Sequence, residues 1–223
     1  MDFDAHQPSW FFQGDNQPGA IAALQDYATN YTGAWFDRLA DVDHPNQITA
    51  QDIVAVSTLG VDIPANKSIW ILGPGSEAIT ALLTQIPQHQ AIWHPDANLE
   101  STGPAWKLWN LIKSTDNSWP PGHGGVATTK LSKLLAAKRP DLIPIHDALI
   151  DQALFDAKIA NYWAPWTRLH RSPQGQQLRD LATSARDNAD IGEYLGPLRI
   201  IDIVIWYWAR HHLATNHNDT SEQ

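Results

Sequence analysis

Cysteine is absent from all 223 residues. That excludes disulfides, thiolate zinc sites and iron-sulfur clusters ligated by cysteine. Positive charge is scarce in the first hundred residues, where only Arg38 and Lys67 stand against twelve acids, and the whole chain carries a net charge of -9. A chain so acidic binds nucleic acid poorly in bulk, because nonspecific affinity comes mostly from neutralising phosphates. No stretch is apolar enough to span a bilayer, and MDFDAHQPSWFFQGD lacks the basic and apolar regions of a signal peptide. A soluble, cytoplasmic protein with no membrane partner is the expectation. No histidine pair has the i, i+4 spacing with a glutamate that a zinc helix needs, so no metal and no cofactor are expected. The turn Gly73-Pro74-Gly75 is not followed by Gly-Lys-Ser/Thr, and a phosphate loop is not read there.

What remains is helical punctuation. From Gly19 the apolar residues Ile21, Leu24, Tyr27, Tyr31, Trp35, Phe36 and Leu39 recur at helical spacing, with a break at Thr32-Gly33. Thr49 with Asp52 three residues on resembles a capping box opening a helix through Leu59. Residues Ile69 to Leu72 read as a short strand or a helix turn, and Ser76 as the cap of a helix ending before Pro87. Further helices are expected over AWKLWNLI, from Ala148 to Tyr162, around Gln174 to Asn188 after a break at Pro165, and from Pro197 onward. The last is apolar nearly all round and reads as the central buried helix, with Arg199 and Asp202 pairing at i, i+3. The expected architecture is all-α: one helical domain over 1–214, with two lobes and a hairpin at 105–139 as the alternative, and a disordered tail over 215–223.

The stretch WPPGHGGVATTKLSKLLAAKRPDLIPIHDALIDQAL, Trp119 to Leu154, organises the rest. Pro120 and Pro121 stop the preceding element, and Gly122, Gly124 and Gly125 permit a tight turn. Thr128 or Thr129 then caps a helix carrying Leu131, Leu134 and Leu135, with Lys130, Lys133 and Lys138 on its other sides. Oriented amides at such a helix start, flanked by lysines, suit a phosphate. Within 105–139 six basic residues (Lys107, Lys113, Lys130, Lys133, Lys138 and Arg139) meet one acid, Asp116. Pro144 stiffens the approach to Asp147, which falls at or near the next helix start, where an aspartate is also a good cap.

The hairpin, basic helix and following aspartate resemble the helix-hairpin-helix DNA glycosylase superfamily, whose motif is a G-x-G hairpin with a catalytic aspartate further on. Setting Gly125-Val126-Ala127 on that motif places Asp147 in register without a gap, although Ala127 replaces the second glycine; the register Gly122-His123-Gly124 restores both glycines but lengthens the gap. More closely, ITAQDIVAVSTLGVDIP, TKLSKLLAAKRPDLIPIHD and PLRIIDIVIWYW are similar to a bacterial family of uncharacterised domains sharing this hairpin.

The resemblance implies a helix-hairpin-helix glycosylase-like fold and monofunctional hydrolysis of an N-glycosidic bond. Thr129 stands where bifunctional relatives carry a Schiff-base lysine, and Lys130, one residue on, points about a hundred degrees away on a helix. Catalytic candidates are thus Asp147, His146 and Lys130. The backbone-gripping set is Gly122, Gly124, Gly125, Val126, Ala127, Thr128, Thr129, Lys130 and Lys133. Among eleven tryptophans, Trp93, Trp106 and Trp109 are candidates to stack an extruded base, with core packing as the alternative; Trp206 and Trp208 read as core. DNA is the expected partner. The competing class is a non-catalytic nucleic-acid-binding or protein-interaction module in which Asp147 is only a cap.

Overall fold

A computed structural model describes residues 8–114, 116, 126–155 and 163–212. Among these the chain forms eleven α-helices and no strand: α1 Gln17–Asn30, α2 Phe36–Leu39, α3 Ala50–Thr58, α4 Ala65–Leu72, α5 Ser76–Leu83, α6 Pro104–Lys113, α7 Thr128–Ala136, α8 Ala148–Phe155, α9 Trp163–His170, α10 Pro173–Ala189 and α11 Pro197–His212. Short 3-10 helices precede α1 and α2. The chain divides into two compact units, one of Met1–Tyr31 with His146–Gln223 and the other of Thr32–Ile145. The expected tail at 215–223 lies outside the described residues.

In the first unit α11 is the axis, packed by α1, α8 and α10. Leu198, Ile200, Ile201, Ile203, Val204 and Ile205 are all buried, so its β-branched run serves a helix core, where burial outweighs the small propensity penalty. Pro197 opens it at a position where a missing amide proton costs nothing. Only its final turn, Arg210 to His212, is exposed. Arg199 pairs with Asp202 and also donates to the Tyr27 hydroxyl at 2.8 Å, tying α11 to α1. Pro165 is not a break. It sits in the first turn of α9, where proline is tolerated, while Ser172 caps α10 by accepting from the Gly175 amide.

In the second unit α3 contacts α2, α4 and α7, and α6 packs on α5 and α7. The capping box of Thr49 and Asp52 is present at the start of α3. Residues 69–72 are the end of helix α4, and α5 is entered through Gly75 rather than capped by Ser76. A side chain at Gly75 would collide with the Trp70 ring at 2.6 Å, which accounts for glycine there.

This unit closes its helix ends with buried cations. Carbonyls at a helix C-terminus lack intrahelical donors and carry partial negative charge. Lys67 Nζ donates to the Ser114 carbonyl, the C-cap of α6, at 2.7 Å. Lys133 Nζ donates to Leu59, the C-cap of α3, at 3.1 Å. Arg139 donates to the Leu83 and Ile86 carbonyls at the end of α5, and to Pro45 and Asn46. Lys138 reaches the Asp41 and His44 carbonyls and the Asp52 carboxylate.

Candidate functional site

The glycines of the expected hairpin, Gly122, Gly124 and Gly125, lie outside the described residues. Description resumes at Val126, whose side chain is buried, and Ala127, which is exposed. Ala127 takes an extended backbone conformation and is the N-cap of α7; the cap is not Thr128 or Thr129, which are already helical. Alanine has no oxygen to offer, so the N-cap residue itself supplies no side-chain cap. The first intrahelical bond runs from the Leu131 amide to the Ala127 carbonyl, leaving the amides of Thr128, Thr129 and Lys130 ahead of the ladder. The side chains of these three residues are half-buried.

The outward lysine array is only partly present. Lys133 is buried against α3, and Lys138 and Arg139 are buried as well, so three of the six cations in this stretch face protein carbonyls rather than solvent. Lys133 is therefore corrected from a phosphate ligand to an internal cap. The physical reason is the end of α3, whose C-cap carbonyl has no intrahelical donor and takes one from Lys133. Lys107 and Lys113 are exposed on α6, and Lys130 is half-buried at the start of α7.

The three indoles separate in the same way. Ala105, Leu108, Trp109 and Ile112 form the buried stripe of α6 at helical spacing, so Trp109 is core and not a base-stacking platform. Trp106 and Trp93 keep part of their surface exposed. The described part of the first unit holds Trp163 and Trp166 as fully buried residues, whereas Trp206 and Trp208, expected to be core, are half-buried.

Asp147 stands at the head of α8. Its carbonyl accepts from the Asp151 amide at 3.0 Å and its carboxylate Oδ1 accepts from the Leu149 amide at 3.0 Å, a helix-capping geometry. The carboxylate is half-buried rather than sealed in packing. Beside it, His146 Nε2 lies 2.9 Å from Oδ2 of Asp151, whose side chain is 3% exposed. The structure thus gathers His146, Asp147 and Asp151 at one helix start. Asp151 went unnoticed in the sequence because the contact spans five residues across a helix boundary, outside the i, i+3 and i, i+4 pairs that helical spacing supplies. Lys130 belongs to the other unit.

Among the described residues no three His, Asp or Glu side chains are grouped so as to hold a metal ion, and no helix is long and apolar enough to cross a membrane. An all-helical chain with a half-exposed, histidine-flanked carboxylate at a helix start is the class these features define. The chain belongs to a family of unknown function, DUF6308, whose model matches residues 20–209. No curated protein and no solved structure matches it significantly.

Proposed function

We propose that this chain is a DNA glycosylase-like hydrolase that releases a modified or mismatched base in DNA repair, with Asp147 as its catalytic carboxylate. The observation that carries the reading is the Asp147 carboxylate itself, half-buried at the head of α8 and next in the chain to a histidine whose Nε2 lies 2.9 Å from the buried Asp151 carboxylate. In the reaction the C1′–N bond breaks, its electron pair leaves with the base, and the positive charge left on the sugar is stabilised by the carboxylate. Water then adds at C1′ and gives up a proton to Asp147 or solvent, while the departed base takes one from water. Positioned acid-base help of this kind contributes ~10²- to 10⁴-fold. Within the second unit, taken by itself, the cations Lys107, Lys113 and Lys130 are the candidate phosphate contacts.

A second reading, a non-catalytic nucleic-acid-binding or protein-interaction module, draws support from one observation. Lys133, Lys138 and Arg139 are spent on internal carbonyls, which leaves a small cationic footprint. Incubating the protein with duplexes that each carry one modified or mismatched base, and assaying abasic sites, separates the two. Base release that disappears in Asp147→Asn is the expected result; binding without release by any duplex favours the module.

A further inference from the structure

Near the end of α11, Trp206, Tyr207 and Trp208 are each followed four residues on by a planar polar side chain: Arg210, His211 and His212. Residues four apart share a helix face, so each ring meets its own partner one turn later. Arg210 Cζ lies 5.4 Å from the Trp206 ring centroid and 6.0 Å from that of Tyr31. His211 lies on Tyr207 at 4.4 Å, and His212 stacks on Trp208 at 4.9 Å with an interplanar angle of 11°. Consecutive residues turn by about 100° on a helix, so the three pairs form a collar around its end. The rings are half-buried and the three outer side chains are exposed.

The collar is braced from behind. Tyr31 bonds His211 Nε2 through its hydroxyl at 3.2 Å and meets Trp206 edge-on, and Phe11 meets Trp208 in the same way. Asp26, an acid beside the collar, is engaged by the Tyr207 hydroxyl at 2.8 Å and the Asn30 amide at 2.6 Å. Helix capping accounts for part of this: His212 Nδ1–H donates to the Trp208 carbonyl at 2.9 Å, at the negative end of the helix. Arg210 and His211 are laid on rings instead, presenting a permanent charge and flat faces outward in a chain of net charge -9.

We propose that this collar is a binding surface for single-stranded nucleic acid, with unpaired bases stacking on the outer faces of Arg210, His211 and His212 and a phosphate meeting the Arg210 charge. Guanidinium planes and histidine rings are stacking partners of splayed bases. The aromatic rings behind them hold those planes before a base arrives, which lowers the ordering cost of binding. Charge selects an anion, and the flat faces select an anion that carries aromatic rings. A duplex keeps its base faces on one another and offers only their edges. The surface belongs wholly to the first unit and does not depend on base release.

Fluorescence anisotropy on the full chain tests it, with a labelled oligothymidylate and an abasic strand of equal length as probes, alongside cosedimentation with phosphatidylserine vesicles. Oligothymidylate should bind at least about fivefold more tightly than the abasic strand, the low end for one stacked base. Arg210→Lys keeps the charge and loses the plane; it should weaken oligothymidylate at least about fivefold and leave the abasic strand unchanged. Arg168→Ala, which removes an exposed charge from α9, should leave oligothymidylate binding as in the wild type. The proposal is overturned by equal affinity for the two strands, by an Arg210→Lys that binds oligothymidylate like the wild type, or by equal weakening in Arg168→Ala. No strand binding at all overturns it too, and vesicle binding in that case assigns the collar to an anionic membrane surface. The comparison of the two strands uses the wild type alone, so it stands whatever a variant does to folding. None of these outcomes bears on Asp147, which is tested by base release from duplexes.

Discussion

Lys138 Nζ lies 2.7 Å from Asp52 Oδ2, and the two side chains are 1% and 0% exposed. Asp52 also accepts from the Asp41 and Thr49 amides, so one carboxylate closes the capping box of α3 and anchors the loop that precedes it. Breaking a buried ion pair from one side strands the other charge, at about 3–5 kcal/mol. Lys138→Met should therefore lower the unfolding free energy by that amount in urea titration. A loss under about 1 kcal/mol, the size of an exposed pair, would mean that water reaches the site.

His170 gives the fold a pH dependence. It is fully buried, stacked on Trp166, and its pKa is lowered to about 3 by burial and by the charge of Arg179. The folded form thus holds the ring neutral, while the unfolded chain takes up a proton below about 6.5. Because the unfolded state binds more protons, stability falls as pH drops from about 6.5 towards 3, by ~1.4 kcal/mol per unit, and is independent of this group above that window. Thermal or urea unfolding across pH 4 to 7 should show the slope in the wild type and lose that component in His170→Phe. An identical slope in the variant would assign it elsewhere.

Salt titration of DNA binding tests how many cations face outward. Each phosphate neutralised contributes about -0.9 to the slope of log K against log salt. With Lys107, Lys113 and Lys130 alone, the slope is about -2.7; with all six basic residues of 105–139 it would be about -5.4. The burial of Lys133, Lys138 and Arg139 favours the smaller value, and Lys133→Gln should leave the slope unchanged while weakening the fold.

Ala127 offers a variant that moves stability and binding in opposite directions. An aspartate at this exposed N-cap position adds a side-chain acceptor that alanine lacks and should stabilise α7 by ~1 kcal/mol, seen as a higher Tm. The same carboxylate places a negative charge beside Lys130, one of the cations that the proposed function gives to phosphate, so Ala127→Asp should bind duplex more weakly. Equal or tighter binding would remove the start of α7 from the interface.

Local grammar carried much of the helical framework. The Thr49–Asp52 capping box, the α1 break near Thr32, and the start of α11 at Pro197 each depend on a few neighbouring residues, and each is found where its spacing predicts. Pro165 reads as a stop in the sequence, yet a proline in a first turn displaces no intrahelical bond. The lysines misled for a different reason. Lys133 and Lys138 look solvated beside the leucines of α7, but their destinations are carbonyls and a carboxylate 74 and 86 or more residues distant in sequence, set by how helices end against one another. Trp109 obeys the stripe of its own helix, whereas Asp151 is recognisable only once the His146 ring is seen to fold back.

The most direct test is base release by Asp147→Asn alongside Asp147→Ala. Asparagine caps a helix about as well as aspartate, so the first variant removes the charge and keeps α8, whereas the second also loses the cap and ~1 kcal/mol. With a duplex on which the wild type forms abasic sites, release should vanish in both variants, with Asp147→Asn as stable as the wild type and still able to bind. Release by Asp147→Asn at the wild-type rate would contradict a catalytic Asp147 and leave it a helix cap.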